Sequence, residues 1–358
     1  MRRFLALIEY STAKPLTTGI LGVGVLVLLT CRSVSATEFP LFDARTAALG
    51  GVGIAHGIPN AAFYNPALAA LEPEKLDWYL LAPSNGEIEL DPDDVEKAVD
   101  AGDLSGNIGN VYQKYEYDTL QITIPSPVLG GSLYVADYNF NTAKIVNDGI
   151  DDVLEHRSLD VFELGVSAAK LVDILWFESV MLGGTAKISL LKSYGYRDPV
   201  ASANLTLDDD QAQRDSELNI DIGISKEYGV WKTAFVIKNM FKHENSLGDS
   251  NDKYTLGPQM RAAVAYQSRR AIVEFDLDLL KSDGVGYGSD TLYAAVGWEW
   301  RMFPAFLLRL GYSQNLADAK LATASGGFGL KLWGLQLDVA ASANEDGAGA
   351  FMQAGWQF

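Results

Sequence analysis

From about residue 75 to the last residue, apolar and polar side chains alternate in short runs separated by turn signals. In "SELNIDIGIS", Leu218, Ile220, Ile222 and Ile224 share one face, while Asn219, Asp221, Gly223 and Ser225 share the other. "AIVEFDLDLL" sets Val273, Phe275 and Leu277 against Ile272, Glu274, Asp276 and Asp278. "GLQLDVAAS" repeats the pattern with Leu335, Leu337 and Val339. A period of two is the signature of a strand with one apolar and one polar face. About 14 such segments follow one another, and no long helical period interrupts them.

The connections between these segments alternate in length. Long ones are predicted at 84–116, 139–157, 193–215, 240–255, 281–288, 314–322 and 343–348. Short ones fall near Pro127, Ile174, Tyr228, Ser268, Phe303 and Trp333. A soluble sandwich has no reason to gather every long loop at one end, whereas an outer-membrane barrel does. In that register Trp78, Trp176, Trp231, Trp298, Trp300, Trp333 and Trp356 all lie at or near the short-turn end, as an interfacial aromatic girdle would. The predicted fold class is therefore all-β: a transmembrane antiparallel barrel, whose closure leaves no unpaired strand edge in lipid.

The ends of the chain extend this picture. Arg2, Arg3 and Lys14, the apolar run "ILGVGVLVLL" and "VSA" ending at Ala36 read as a secretory signal cleaved after Ala36. A lipoprotein cleavage at Cys31 is the lesser alternative, because Thr30 is a poor residue before a lipidated cysteine. Cleavage at Ala36 removes four of the 28 basic residues and one of the 46 acidic ones, and leaves no cysteine. The formal charge, -18 for the whole chain, becomes still more negative, which excludes nucleic acid as a partner. At the other end, Met352, Ala354, Trp356 and Phe358 alternate on one face. A closing strand ending in Phe resembles the signal read by the barrel-assembly machinery.

Between signal and barrel lies "DARTAALGGVGIAHGIPNAAFYNPALAAL", small, glycine-rich and nearly uncharged. It has too few large side chains to form its own core, and it precedes the first strand. It is expected to fold into the lumen as a plug. Gly50, Gly51 and Gly53 would allow close backbone approach, and Asn65-Pro66 would fix a turn. The domain division is then signal peptide 1–36, plug 37–74 and barrel 75–358.

The stretch "ALGGVGIAHGIPNAAFYNPALAAL" resembles the N-terminal plug of the FadL-like outer-membrane transporters. Further on, "KYTLGPQMRAAVAYQSRRAIVEFDLDLLKSD", "WRMFPAFLLRLGYSQNLAD" and the closing "GLQLDVAASANEDGAGAFMQAGWQF" resemble the barrel proteins of conjugal-transfer TraF type. The thioredoxin-like protein of similar name is excluded by the lack of any C-x-x-C. These resemblances imply an outer-membrane location. They also imply that a small hydrophobic molecule is bound or passed, with Gly50, Gly51, Gly53, Asn60, Phe63, Tyr64, Asn65 and Pro66 as plug or ligand-contact candidates. The competing implication is an accessory of a conjugal-transfer or secretion machine, with the other envelope proteins as partners. Either way the barrel would meet outer-membrane lipid and the barrel-assembly machinery.

Catalytic chemistry finds little support. His56, His156 and His243 show no metal-ligand spacing, and mature thiols are absent. A hydrolase using His156 with Asp151 or Asp152 is the weakest of the three readings. "GVG" at 51–53 lacks the third glycine of a dinucleotide loop. Asp91, Asp93 and Asp94 sit in an acidic stretch that lacks an EF-hand's ligand and glycine positions, and a solvated outer loop is expected there. No catalytic, cofactor-binding or metal residue is predicted.

Overall fold

The computed structural model describes residues 40–56, 61–70, 79–90, 111–147, 152–174, 177–199, 212–247, 253–318 and 322–357. The signal segment with Ala36, Asn60, Trp78, Trp176, Phe358 and the acidic stretch 91–110 lie outside the described residues.

The alternating segments form strands that pair antiparallel with their sequence neighbours. They are β1 (Tyr79–Leu90), β2 (Val111–Ile124), β3 (Gly130–Asn147), β4 (Asp152–Ile174), β5 (Phe177–Pro199), β6 (Gln213–Tyr228) and β7 (Trp231–Lys238). A short hairpin, β8 (His243–Ser246) with β9 (Lys253–Leu256), stands apart from the main sheet. The main sheet resumes with β10 (Gln259–Gln267), β11 (Ala271–Asp278), β12 (Tyr293–Phe303) and β13 (Phe306–Asn315). It ends with β14 (Ala322–Leu332), β15 (Leu335–Ala343) and β16 (Gly347–Gln357). β1 pairs with β2 on one side and with β16 on the other, closing the sheet on itself.

The long connections are shorter than the sequence suggested, and those after β3 and β15 are no longer than the short one after β2. β1 runs to Leu90 and β2 begins at Val111, so 84–90 and 111–116 are strand. Likewise β3 continues to Asn147, β4 begins at Asp152 and β5 runs to Pro199. Crossing a bilayer takes about 9–11 residues of tilted strand. The 23 residues of β4 and of β5 far exceed that. In these extensions the apolar–polar alternation of the sequence fades while the backbone ladder continues.

The two faces of the sheet are inverted relative to a water-soluble barrel. In β11, Glu274 and Asp276 are each 1% exposed, while Val273 and Phe275 between and beside them are 40% and 43% exposed. The same holds around the sheet, where Phe162, Leu190, Ile222, Leu310, Phe328 and Leu337 all stand outward. Met352 and Trp356 of β16 are outward too, while Phe351 and Gln353 are buried. Trp231, Trp300, Trp333 and Trp356 fall at or near the short-turn end, while Trp298 lies at the middle of β12. Trp333 is 94% exposed in a two-residue turn with φ of 48°, followed by Gly334 at 88°. Packing within the chain does not account for a tryptophan there.

The N-terminal segment packs on the inward face. It forms α1 (Ala44–Ala48), α2 (Ala61–Tyr64) and a 3-10 turn (Pro66–Ala69). Asp43 caps α1 by accepting from Thr46 N–H at 2.9 Å, and Asn65 caps the 3-10 turn by accepting from Ala67 N–H at 3.0 Å. Helices this short have little stability of their own. Their order comes from burial among the strands: Phe42 stacks on Phe63 at 4.9 Å, Phe63 meets Tyr134 at 4.8 Å, and Phe42 meets Tyr138 at 5.6 Å.

Candidate ligand site at the loop end of the barrel

The segment is held by hydrogen bonds from strands on every side. Gly53 N–H donates to Asp276 at 3.1 Å and Ala55 N–H donates to Glu274 at 2.7 Å. Arg261 donates to the Gly51 carbonyl at 3.0 Å, Lys238 to the Phe63 carbonyl at 2.6 Å, and Thr119 to the Phe42 carbonyl at 3.0 Å. Ser325 donates to the Ala48 carbonyl at 3.1 Å. A loop buried in this way needs a partner for each backbone polar group, and the inward polar side chains supply them. That explains why strands whose outer face is apolar carry acids and bases inside.

Glycines let the wall approach. A Cβ at Gly183 would lie 2.5 Å from Ala67 N, one at Gly223 1.9 Å from Asn65 Oδ1, and one at Gly311 2.1 Å from Gly50 N. Gly50 and Gly51 themselves have φ of 73° and 90°, where a side chain is strained. On the segment, burial raises the Asp43 carboxyl above the ordinary carboxylate range, opposed by the Thr46 N–H. Burial, with the Asp43 charge beside it, also pushes the Tyr64 phenol well above its usual value.

Beneath and beside the segment the charges are paired. Lys187 lies 3.4 Å from Glu163 and 3.2 Å from Asp221, and Tyr134 donates to Glu163 at 2.6 Å. Toward the short-turn end, Arg309 joins Glu299 at 2.8 Å and Asp338 at 2.5 Å, and Arg45 of α1 reaches the same Glu299 at 3.1 Å. This part of the lumen is filled.

Toward the long connections a cavity of about 120 Å³ remains. Its floor includes Leu41, Ala47, Gly50 and Gly51, with Arg261 at the base. Ile88, Tyr115, Tyr117 and Tyr293 supply apolar and aromatic wall, and Ser and Thr residues of β13 to β15 and of the β11–β12 connection line it too, with Gln113 and Asn344. Of the residues predicted as contacts, Gly50 and Gly51 line this cavity. Gly53, Phe63, Tyr64, Asn65 and Pro66 do not; they are buried in the packing that holds the segment. Asn65 donates to the Ile54 carbonyl at 2.8 Å, and Tyr64 OH accepts from Phe42 N–H at 2.8 Å. The cavity residues escaped sequence reading because they are scattered over several strands with no local motif. One signal was present: inward positions on β13–β15 change from charged at the turn end (Arg309, Asp338) to hydroxylated at the loop end (Ser313, Thr323, Ser342).

One side of the cavity is the connection 279–292, which does not stay beside its own strands. Val285 is buried, and Tyr287 sits against β3 and β4, with β4 five strands from β11 around the sheet. Tyr287 OH donates to Glu155, its N–H donates to Thr142 Oγ1 at 3.2 Å, and the Arg157 guanidinium lies 5.5 Å from its ring. The connection therefore straps the barrel mouth, and it delivers Ser289 and Thr291 to the cavity. Tyr287→Ala should release the strap: amide exchange across 279–292 should rise at least tenfold while the barrel strands stay protected. Unchanged exchange there would show that Tyr287 does not fasten it.

The remaining chemical candidates stay apart. His156 is buried edge-on against Tyr196 at 5.0 Å, and His56 shares a contact of 3.1 Å with Arg45. Among the described residues no group of His, Cys, Asp and Glu could hold a metal ion.

Comparison with known proteins agrees with this geometry. Residues 119–278 match the family described as F plasmid transfer operon, TraF, protein. No curated protein matches the chain. Among solved structures, the TodX monoaromatic hydrocarbon channel in its deltaS2S3 mutant form superposes with a TM-score of 0.59 at 12% identity, covering 88% of this chain and 98% of that one. The P. putida toluene transporter TodX superposes with a TM-score of 0.56 at 12% identity, covering 90% and 99%. The chain shares the fold of these barrels over nearly its whole described length.

Proposed function

We propose that this chain is an outer-membrane barrel that takes up small apolar molecules at its loop-end cavity, with residues 40–70 acting as the plug beneath. The observation that carries this reading is the cavity: apolar and aromatic on its walls, floored by the glycine-rich segment, and open on the side of the long connections. The inverted faces of the sheet support a lipid surround, with the exposed tryptophans at one interface. The likeness to TodX, which is a hydrocarbon channel, supports transport without naming a ligand. Outer-membrane lipid and the barrel-assembly machinery are the partners this reading requires, with Met352, Ala354, Trp356 and Phe358 as the assembly signal.

Ser342 lines the cavity from an inward, half-buried position on β15, so a large side chain there projects into the cavity. Ser342→Trp should lower uptake of a small aromatic tracer by cells expressing the protein about tenfold or more, since filling a site of this size leaves no room for a ring. Wild-type uptake in the variant, at equal surface abundance, would defeat the proposal.

A second reading has its own support. The match to the TraF description and the ion-paired filling below the segment both suit a structural component of an envelope transfer machine. A deletion that abolishes transfer or secretion while aromatic uptake persists would favour it.

A further inference from the structure

The cavity's chemistry narrows its ligand beyond "apolar". Resting on the reading of this cavity as the ligand site, we propose that it selects a neutral single-ring aromatic bearing one hydroxyl or carbonyl oxygen, over both the plain hydrocarbon and the carboxylate.

Size comes first. A cavity of about 120 Å³ is close to the roughly 150 Å³ site that holds one benzene ring in a protein core. A long acyl chain has no place in it. Tyr115, Tyr117 and Tyr293 give aromatic surface against which a ring packs offset or edge-on.

Polarity comes second. Ser289, Thr291, Ser313, Thr323 and Ser342 line the cavity, and among the described residues their hydroxyls make no hydrogen bond. By contrast, the neighbouring Ser325 is used, donating to the Ala48 carbonyl at 3.1 Å. Unpartnered hydroxyls in a cavity this size hold water when no ligand is present. A hydrocarbon displaces that water and returns nothing, whereas a phenol or ketone oxygen replaces the lost hydrogen bond. Sites built to bond a hydroxyl reject the analogue that lacks one.

Charge comes third. Arg261 is the one basic side chain on the lining, and its guanidinium is already bound to Asp278 at 2.6 Å and to the Gly51 carbonyl at 3.0 Å. The charge a carboxylate ligand would seek is thus already neutralised by Asp278. The chain's overall charge of -18 also repels anions.

Three probes with one ring and one changed substituent test this: toluene, p-cresol and benzoate, titrated by ligand-observed NMR against the full-length protein in detergent micelles. p-Cresol should bind about tenfold tighter than toluene, the worth of one hydrogen bond, with benzoate weakest. The double variant Thr291→Val and Thr323→Val keeps the cavity's shape and removes two hydroxyls. It should bring the p-cresol-to-toluene ratio to near one while toluene binding holds or improves. Equal binding of toluene and p-cresol to the wild type would overturn the proposed class and leave the site standing, as would a ratio unmoved by the valines. Binding of none of the three would overturn the site itself, and the class with it.

Discussion

Replacing Gly183 and Gly311 together with valine is expected to unseat the N-terminal segment and open the bore. The two glycines lie on β5 and β13, six strands apart in a sheet of fourteen, so they grip the segment from nearly opposite walls. A Cβ at Gly311 would sit 2.1 Å from Gly50 N and 2.2 Å from the Leu49 carbonyl carbon. One at Gly183 would sit 2.5 Å from both Ala67 N and the Pro66 carbonyl carbon. All four contacts are with backbone, which cannot swing aside as a long side chain can. Overpacking costs about 1–3 kcal/mol at a single site even where the surroundings relax. Here both walls push inward on a segment whose helices have five and four residues, and valine suits the strands themselves. The barrel should therefore persist while the segment leaves. Planar-bilayer conductance should rise severalfold, and a cysteine placed at Ala44, buried and away from the cavity lining, should become reactive toward a membrane-impermeant maleimide. Gly184→Val is the control, because a Cβ there meets only the Asp221 carbonyl oxygen at an ordinary 3.6 Å. A double variant with wild-type conductance and an unreactive cysteine would show that the segment is not what fills the bore.

The outline of this fold was legible in the chain because the outward face of the sheet follows a strict rule. Every second side chain there is apolar, and Ile222, Phe275 and Leu337 follow that rule with exposed outward positions. The rule lapses toward the loop end, which is why the loop-end halves of β3, β4 and β5 and the β8–β9 hairpin read as loops. It also says nothing about which inward charges meet. Glu299 of β12 faces Arg309 directly across the β12–β13 hairpin, yet its other partner, Arg45, comes from α1 and is brought there only by the packing of the N-terminal segment on the inward face. The candidate site was half legible for the same reason. "ALGG" and "FYNPA" marked the segment that enters the lumen, and Gly50 and Gly51 do face the cavity. Phe63, Tyr64 and Asn65 looked like contacts because they are the segment's large or polar groups. Those same properties make them its fastening to the wall.

Arg309→Leu is expected to be the most destabilising single change in the lower lumen. Arg309 is 1% exposed and donates to Glu299 at 2.8 Å and to Asp338 at 2.5 Å. Removing one member of a buried ion pair typically costs about 3–5 kcal/mol, because the partner's charge remains without compensation. The two carboxylates are not equally exposed to this loss. Glu299 keeps Arg45 at 3.1 Å, while Asp338 keeps only the neutral Gln336 amide, at 2.6 Å. Most of the cost should therefore trace to a stranded Asp338. It follows that Arg309→Leu with Asp338→Leu should recover much of the lost stability, since the second change removes the orphaned charge and Glu299 still has its partner. Urea unfolding in lipid vesicles, followed by tryptophan fluorescence, gives the three free energies needed for a double-mutant cycle. The cycle should show strong coupling, with the double variant more stable than Arg309→Leu alone. Additive losses would mean that Asp338 is not stabilised through Arg309, and that water reaches this part of the lumen despite its filling.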